Sequence, residues 1–102
     1  MEHSDEYNKL FRVHKTAHEL SIIASTNDRT VFNTLKLMEE CSEHCSKKMQ
    51  SRNKDIDMDI LEKVNIAISN LRAVYEITNV AYQAAIKVEE DAYDALKAHI
   101  EN

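Results

Sequence analysis

The 102-residue chain contains no glycine, no proline and no tryptophan. Average usage of roughly 7% glycine and 5% proline would put about a dozen of these two residues in a chain of this length. Their absence excludes glycine-rich phosphate loops, collagen, and folds that need many tight turns at positive φ. No apolar run approaches the roughly 18 residues of a transmembrane helix. The opening segment MEHSDEYNKLF is too charged for a secretory signal. Clustered basic residues are also missing: 13 Lys and Arg stand singly or in pairs against 18 Asp and Glu, for a formal charge of -5. A phosphate-tracking face needs such a cluster, so a nucleic-acid polymer is not an expected partner, and neither is a membrane. A cytoplasmic protein is expected. With 43% hydrophobic and 30% charged residues, the composition fits one small folded domain over residues 1–102.

Helical spacing runs through nearly the whole chain. Tyr7, Leu10, Phe11, Ala17, Leu20 and Ala24 recur at intervals of three and four, which predicts a first helix from about Asp5 to Ala24. Ser25, Thr26, Asn27 and Asp28 favour turns and helix caps and predict its end. A second helix is expected from Arg29 to Gln50, with Val31, Leu35, Met38, Cys41, Cys45 and Met49 on one stripe. The polar segment SRNKDID, residues 51 to 57, predicts a loop with helix caps at Asp55 or Asp57. A third helix follows over about 57–77, striped by Leu61, Val64, Ile68, Leu71 and Tyr75 and widened by Ile60, Ile66, Ala67 and Val74. Thr78 and Asn79 mark a break before a fourth helix carrying Tyr82, Ala85, Ile86, Tyr93, Leu96 and Ile100.

Four helices of about 20 residues with short connections define an all-α, antiparallel bundle. A core of this size is marginal in a monomer, and the wide apolar face of the third helix calls for completion by oligomerisation, as a homodimer. The two cysteines, Cys41 and Cys45, lie one helical turn apart, a poor geometry for a disulfide, and read as buried free thiols. His14 and His18 share that spacing but only flank their stripe, so they read as partly exposed histidines.

The densest acidic cluster inside a helix is Glu39, Glu40 and Glu43 in KLMEECSEHC. Glu40 and Glu43 are one turn apart, so their carboxylates can converge on one ion. Glu62 and Asn65 repeat that spacing on the next helix. Oxygen ligands from two antiparallel helices would suit Mg²⁺ or Mn²⁺. A solvated charged face explains the same glutamates, and a structural hydrogen bond explains Asn65.

The run LKLMEECSE resembles the first motif of the MazG-like all-α nucleotide pyrophosphohydrolases, a Glu-x-x-Glu pair followed on the next helix by Glu-x-x-Asp. Here the pairs are Glu40 with Glu43 and, 18 residues on, Glu62 with Asn65. The resemblance also takes in the Asn-Asp segment before the second helix and ISNLRAVYEI before the last, and so covers most of the chain. It implies a metal set of Glu40, Glu43, Glu62 and Asn65 holding Mg²⁺ or Mn²⁺. It further implies hydrolysis of a nucleoside triphosphate to the monophosphate and pyrophosphate, with the metal bridging phosphate oxygens. Glu39 or Glu43 would orient the water, and Lys47 and Lys48 would reach the phosphate tail, although a basic helix end explains those lysines equally. Asn65 stands where the family has an acid, which removes one negative charge, weakens metal binding and implies an impaired activity. The alternative is a catalytically inactive relative that keeps the bundle as a binding or inhibitory module.

Overall fold

The computed structural model describes residues 4–48 and 54–101, with side chains at 4–47 and 58–101. It is all-helical, but the described chain forms two long helices where the apolar spacing predicts four: α1 (Asp5–Lys48) and α2 (Lys54–Glu101). Ser4 caps α1. Its Oγ accepts the Tyr7 N–H at 3.1 Å and its carbonyl accepts the Asn8 N–H at 3.1 Å, while Asp5 and Glu6 occupy the electropositive first turn.

Both expected interior breaks are helical. At the first, Thr26 donates its hydroxyl to the Ile22 carbonyl at 3.0 Å; at the second, Thr78 donates to the Tyr75 carbonyl at 3.0 Å. Hydroxyls satisfied by the preceding turn no longer compete with the helix backbone. Neither segment contains the glycine that would end a helix at positive φ, and none of the described residues adopts positive φ. At the expected loop, residues 51–53 lie outside the described residues, as does Met49 of the expected second stripe. Lys54 already begins α2, so Asp55 and Asp57 stand within the helix instead of capping it.

The chain divides into two compact units. Unit 1 comprises Met1–Asn27 and Asn79–Asn102, and unit 2 comprises Asp28–Thr78, so each helix contributes to both. In unit 2 the partners Phe32 with Tyr75, Glu39 with Arg72 and Ser42 with Asn65 descend along α2 as they ascend along α1, which defines an antiparallel pair. Unit 1 shows the same order in Ser4 with His99, His14 with Tyr93 and His18 with Glu89.

The burial pattern has a strict seven-residue period. With a assigned to Tyr7 and Leu61, every side chain at a and d from Tyr7 to Cys45 and from Leu61 to His99 is buried or half-buried. Only Ser25 and Glu39 on α1, and Ala67, Asn79 and Ile86 on α2, join them among the described residues. Alternating steps of three and four are the signature of a coiled-coil seam, which keeps its contact line only by left-handed supercoiling. Leu35 and Ile68 are buried in unit 2, and Ala17, Ser21, Ala92 and Leu96 in unit 1. Two helices cannot surround a side chain, and none among the described residues is completely enclosed.

This seam corrects part of the expected core. Leu61, Val64, Ile68, Leu71 and Tyr75 all lie on it, but Phe11, Leu20, Cys41, Tyr93 and Ile100 are exposed. No helix among the described residues is long and apolar enough to cross a membrane.

Candidate functional site

The seam has two edges. In an antiparallel pair, the e positions of the two helices border one edge and the g positions the other. All the cross-helix polar and ring pairs between side chains at positions a and e lie on the e edge: Glu39 with Arg72, Ser42 with Asn65, Phe32 with Tyr75, His14 with Tyr93 and His18 with Glu89. In unit 2 this edge holds a groove of about 330 Å³ lined by Glu39, Ser42, Glu43, Asn65, Ile68, Ser69 and Arg72. A neighbouring open depression of about 820 Å³ is lined along α2 by residues that include Asp59, Glu62, Asn65 and Asn70.

The sequence-designated residues are distributed unequally over this surface. Glu39, Glu43 and Asn65 share the first groove, and Glu62 and Asn65 share the second. Glu40 lines neither. It occupies an f position, about 170° around the helix from the seam at 100° per residue, and is exposed. Glu39 faces the Arg72 guanidinium at 3.9 Å. Glu43 is paired along its own helix with Lys47 at 3.2 Å, so this lysine's ammonium is directed at a carboxylate. Asn65 accepts the Ser42 hydroxyl through Oδ1 at 2.8 Å. The side chain of Lys48 lies outside those described.

A divalent cation of the magnesium class needs several oxygens on one centre. Among the described residues, no three His, Cys, Asp or Glu side chains converge closely enough to hold a metal ion. Glu43 and Asn65 are engaged by protein donors, and Glu40 faces outward on the far side of α1. Cys41 and Cys45 belong to unit 2 and His14 and His18 to unit 1.

One cluster went unmarked by the motifs. Glu89, at seam position a in unit 1, accepts the Ser21 hydroxyl at 2.6 Å through Oε2 and pairs through Oε1 with His18 Nδ1. Ser21 also reaches the His18 carbonyl at 2.8 Å and is buried. The Ser21 hydrogen bond, then that from His18, holds the Glu89 carboxyl below the ordinary carboxylate range. The three residue types are those of a hydrolase triad, but the serine donates to the carboxylate, not to an imidazole base, so the nucleophile is not activated. Polar residues at heptad positions a and d were the signal in the sequence, legible only once the seven-residue period is set.

The g positions of α2 are apolar throughout, and those of α1 and the c positions of both helices mix apolar side chains with polar ones such as Thr16, Asn27, Thr34 and Asn70. In unit 1 the g and c positions include Leu20, Ile23, Ala84 and Val88; in unit 2 they include Leu37, Ile60, Val74 and Ile77. Leu37 is 62% exposed and Ile77 is 68% exposed. The f positions of α1, by contrast, are Arg12, Glu19, Thr26, Asn33, Glu40 and Lys47, all polar.

Comparison with known proteins supplies no family: no protein-family model matches this chain, and no curated protein or solved structure is significantly similar to it.

Proposed function

We propose that this chain is a helical association module, a coiled-coil hairpin that pairs with a second copy through its apolar g and c faces to complete a four-helix bundle. The observation that carries this reading is the strip of exposed apolar side chains at the g and c positions of both helices, Val13, Leu20, Leu37, Val74, Ile77 and Val88 among them, although other exposed apolar side chains, such as Phe11, Ile22 and Ile66, stand at e, b and f. Area supports it. A compact monomer of 11.8 kDa exposes about 5,900 Å². This chain exposes 7904 Å², an excess of about 2,000 Å² over that figure, whereas a standard interface removes about 800 Å² from each partner. Within such a bundle the polar f stripe of α1 stays in water and the exposed leucines, isoleucines and valines at g and c are covered.

Substitution of the two faces tests the assignment. Ile77→Lys, on the apolar edge, is expected to convert the assembly to monomer in size-exclusion chromatography, and Glu43→Lys, on the polar edge, to leave it intact. Dissociation by Glu43→Lys with retention in Ile77→Lys would reverse the faces and refute the reading.

A second reading keeps the chain as an impaired magnesium- or manganese-dependent nucleoside triphosphate pyrophosphohydrolase. Its support is the groove that Glu39, Glu43 and Asn65 line together. Metal binding there would require Glu43 to leave Lys47, and no catalytic step follows from the present arrangement. Calorimetric titration with Mn²⁺, joined to a pyrophosphate-release assay over several nucleoside triphosphates, distinguishes the two. Binding lost in Glu43→Gln together with turnover would favour the hydrolase, and silence in both assays the association module.

A further inference from the structure

The g positions of α2 are Ile60, Ala67, Val74, Ala81, Val88 and Ala95, a large and a small side chain in strict alternation. Where side chains of two close helices meet head-on, one of each pair must be small, because packed interfaces tolerate neither overlap nor voids. Laid antiparallel on a second α2, this row has one register in which all six find a partner of the other size. Ile60 meets the partner's Ala95, Ala67 the partner's Val88 and Val74 the partner's Ala81. A slip of one heptad, about 10 Å at 1.5 Å per residue, puts large on large and small on small. Parallel pairing in register does the same. On the reading of the chain as an association module, we propose that two copies join α2 to α2 in antiparallel, about a two-fold axis that passes between Ile77 and Thr78.

Three further features converge on that axis. It bisects α2 (Lys54–Glu101, 48 residues), so the whole apolar row is covered, and the helix dipoles run in opposite directions. The c positions beside the row put Ile77, 68% exposed, against the partner's Ile77, and Lys63 against the partner's Asp91. Within one chain Lys63 bonds Asp59 at 3.2 Å and Asp91 bonds Lys87 at 3.0 Å, so the pairing sets alternating charges at each end of the row.

The third feature lies on α1. About its own midpoint Asn27, at g, meets the partner's Asn27, while Leu20 meets the partner's Thr34 and Leu37 the partner's Thr16, again large against small. A single amide at such a position fixes register in coiled coils. One axis serves both helices: Asp28, next to Asn27, accepts the hydroxyl of Thr78, next to Ile77, at 3.0 Å.

Distances between copies of the full chain test the arrangement. Nitroxides are placed at f positions of α2 through Ala73→Cys, Val80→Cys or Asp94→Cys, with the native thiols removed by Cys41→Ala and Cys45→Ala. The axial separations expected between equivalent labels are about 14, 8 and 50 Å at 1.5 Å per residue, so double electron–electron resonance should read a distance more than about 20 Å longer at 94 than at 73 or 80. Sedimentation equilibrium on the same labelled chains separates two failures. Dimers with equal distances at all three positions, as from parallel α2 helices, overturn the arrangement and leave association standing; chains that stay single at every concentration overturn both. Val74 and Ala81 are exposed in the single hairpin, so their exchange leaves its own core untouched. Ala81→Val sets a second large side chain against the partner's Val74 and should weaken dimerisation at least about tenfold, whereas Val74→Ala with Ala81→Val should return it to within about threefold of the parent. Equal weakening in both variants would also overturn the arrangement.

Discussion

Replacing Leu35 with alanine probes the seam where it is best sealed. Leu35 occupies position a in unit 2 and is 5% exposed. The substitution removes three carbons, worth about 2.4 kcal/mol at roughly 0.8 kcal/mol per buried methylene. A residual cavity adds to this, and buried Leu→Ala changes span about 2–5 kcal/mol. A two-helix seam can close around a small gap, so the cavity contribution should be small and the total about 2.5–3 kcal/mol. Leu37, two residues on and 62% exposed, has little left to lose within its own hairpin, and its truncation should cost less than about 1 kcal/mol there. The two variants should diverge again with concentration. If Leu37 is covered by a second copy, the cost of Leu37→Ala grows as protein is added, because association stabilises the folded state by mass action. Urea unfolding followed by far-ultraviolet circular dichroism, at two concentrations about a hundredfold apart, reads both effects. A Leu35→Ala loss below about 1 kcal/mol would refute the seam assignment, because surface substitutions have effects of that size or smaller.

Other expectations concern the polar pairs. Glu39→Gln removes a partly exposed ion pair with Arg72, 3.9 Å long, and is expected to shift stability by no more than about 0.5 kcal/mol in thermal unfolding. At the half-buried seam position of Asp28, Thr78 donates to the carboxylate at 3.0 Å and also to the Tyr75 carbonyl. Asp28→Ala leaves Thr78 with an acceptor and should cost about 0.5–1.5 kcal/mol by urea unfolding. Thr78→Val takes this donor from the carboxylate and should cost more; the reverse order would mean that the pair does not share a desolvated contact.

Helical class and most of the α2 stripe were legible because apolar spacing reports directly on a buried face. Leu61, Val64, Ile68, Leu71 and Tyr75 recur at the steps of a seam and lie on it. The number of helices was not legible. Ser25, Thr26 and Thr78 carry a statistical tendency to end helices, but the hydroxyls of Thr26 and Thr78 bond to the preceding turn, and the chain lacks glycine and proline to enforce a break. Phe11 and Leu20 fit the three- and four-residue intervals of the expected first stripe, whereas the 3.5-residue period places them at e and g. The candidate site divides in the same way. Spacing along one helix correctly puts Glu40 one turn from Glu43, but it does not reveal which face the partner helix approaches. That face excludes Glu40 from the groove and brings Ser42 to Asn65. The Glu89 cluster joins residues 68 and 71 positions apart in sequence, a separation at which no local pattern operates.

Mass in solution tests the central claim most directly. Sedimentation equilibrium of the unmodified chain is expected to give twice 11.8 kDa at high concentration and a decline toward the single-chain value on dilution, as two hairpins share their apolar edges. A mass of one chain at every concentration would contradict the account, leaving the exposed isoleucines and leucines of the g and c faces without a second copy to cover them.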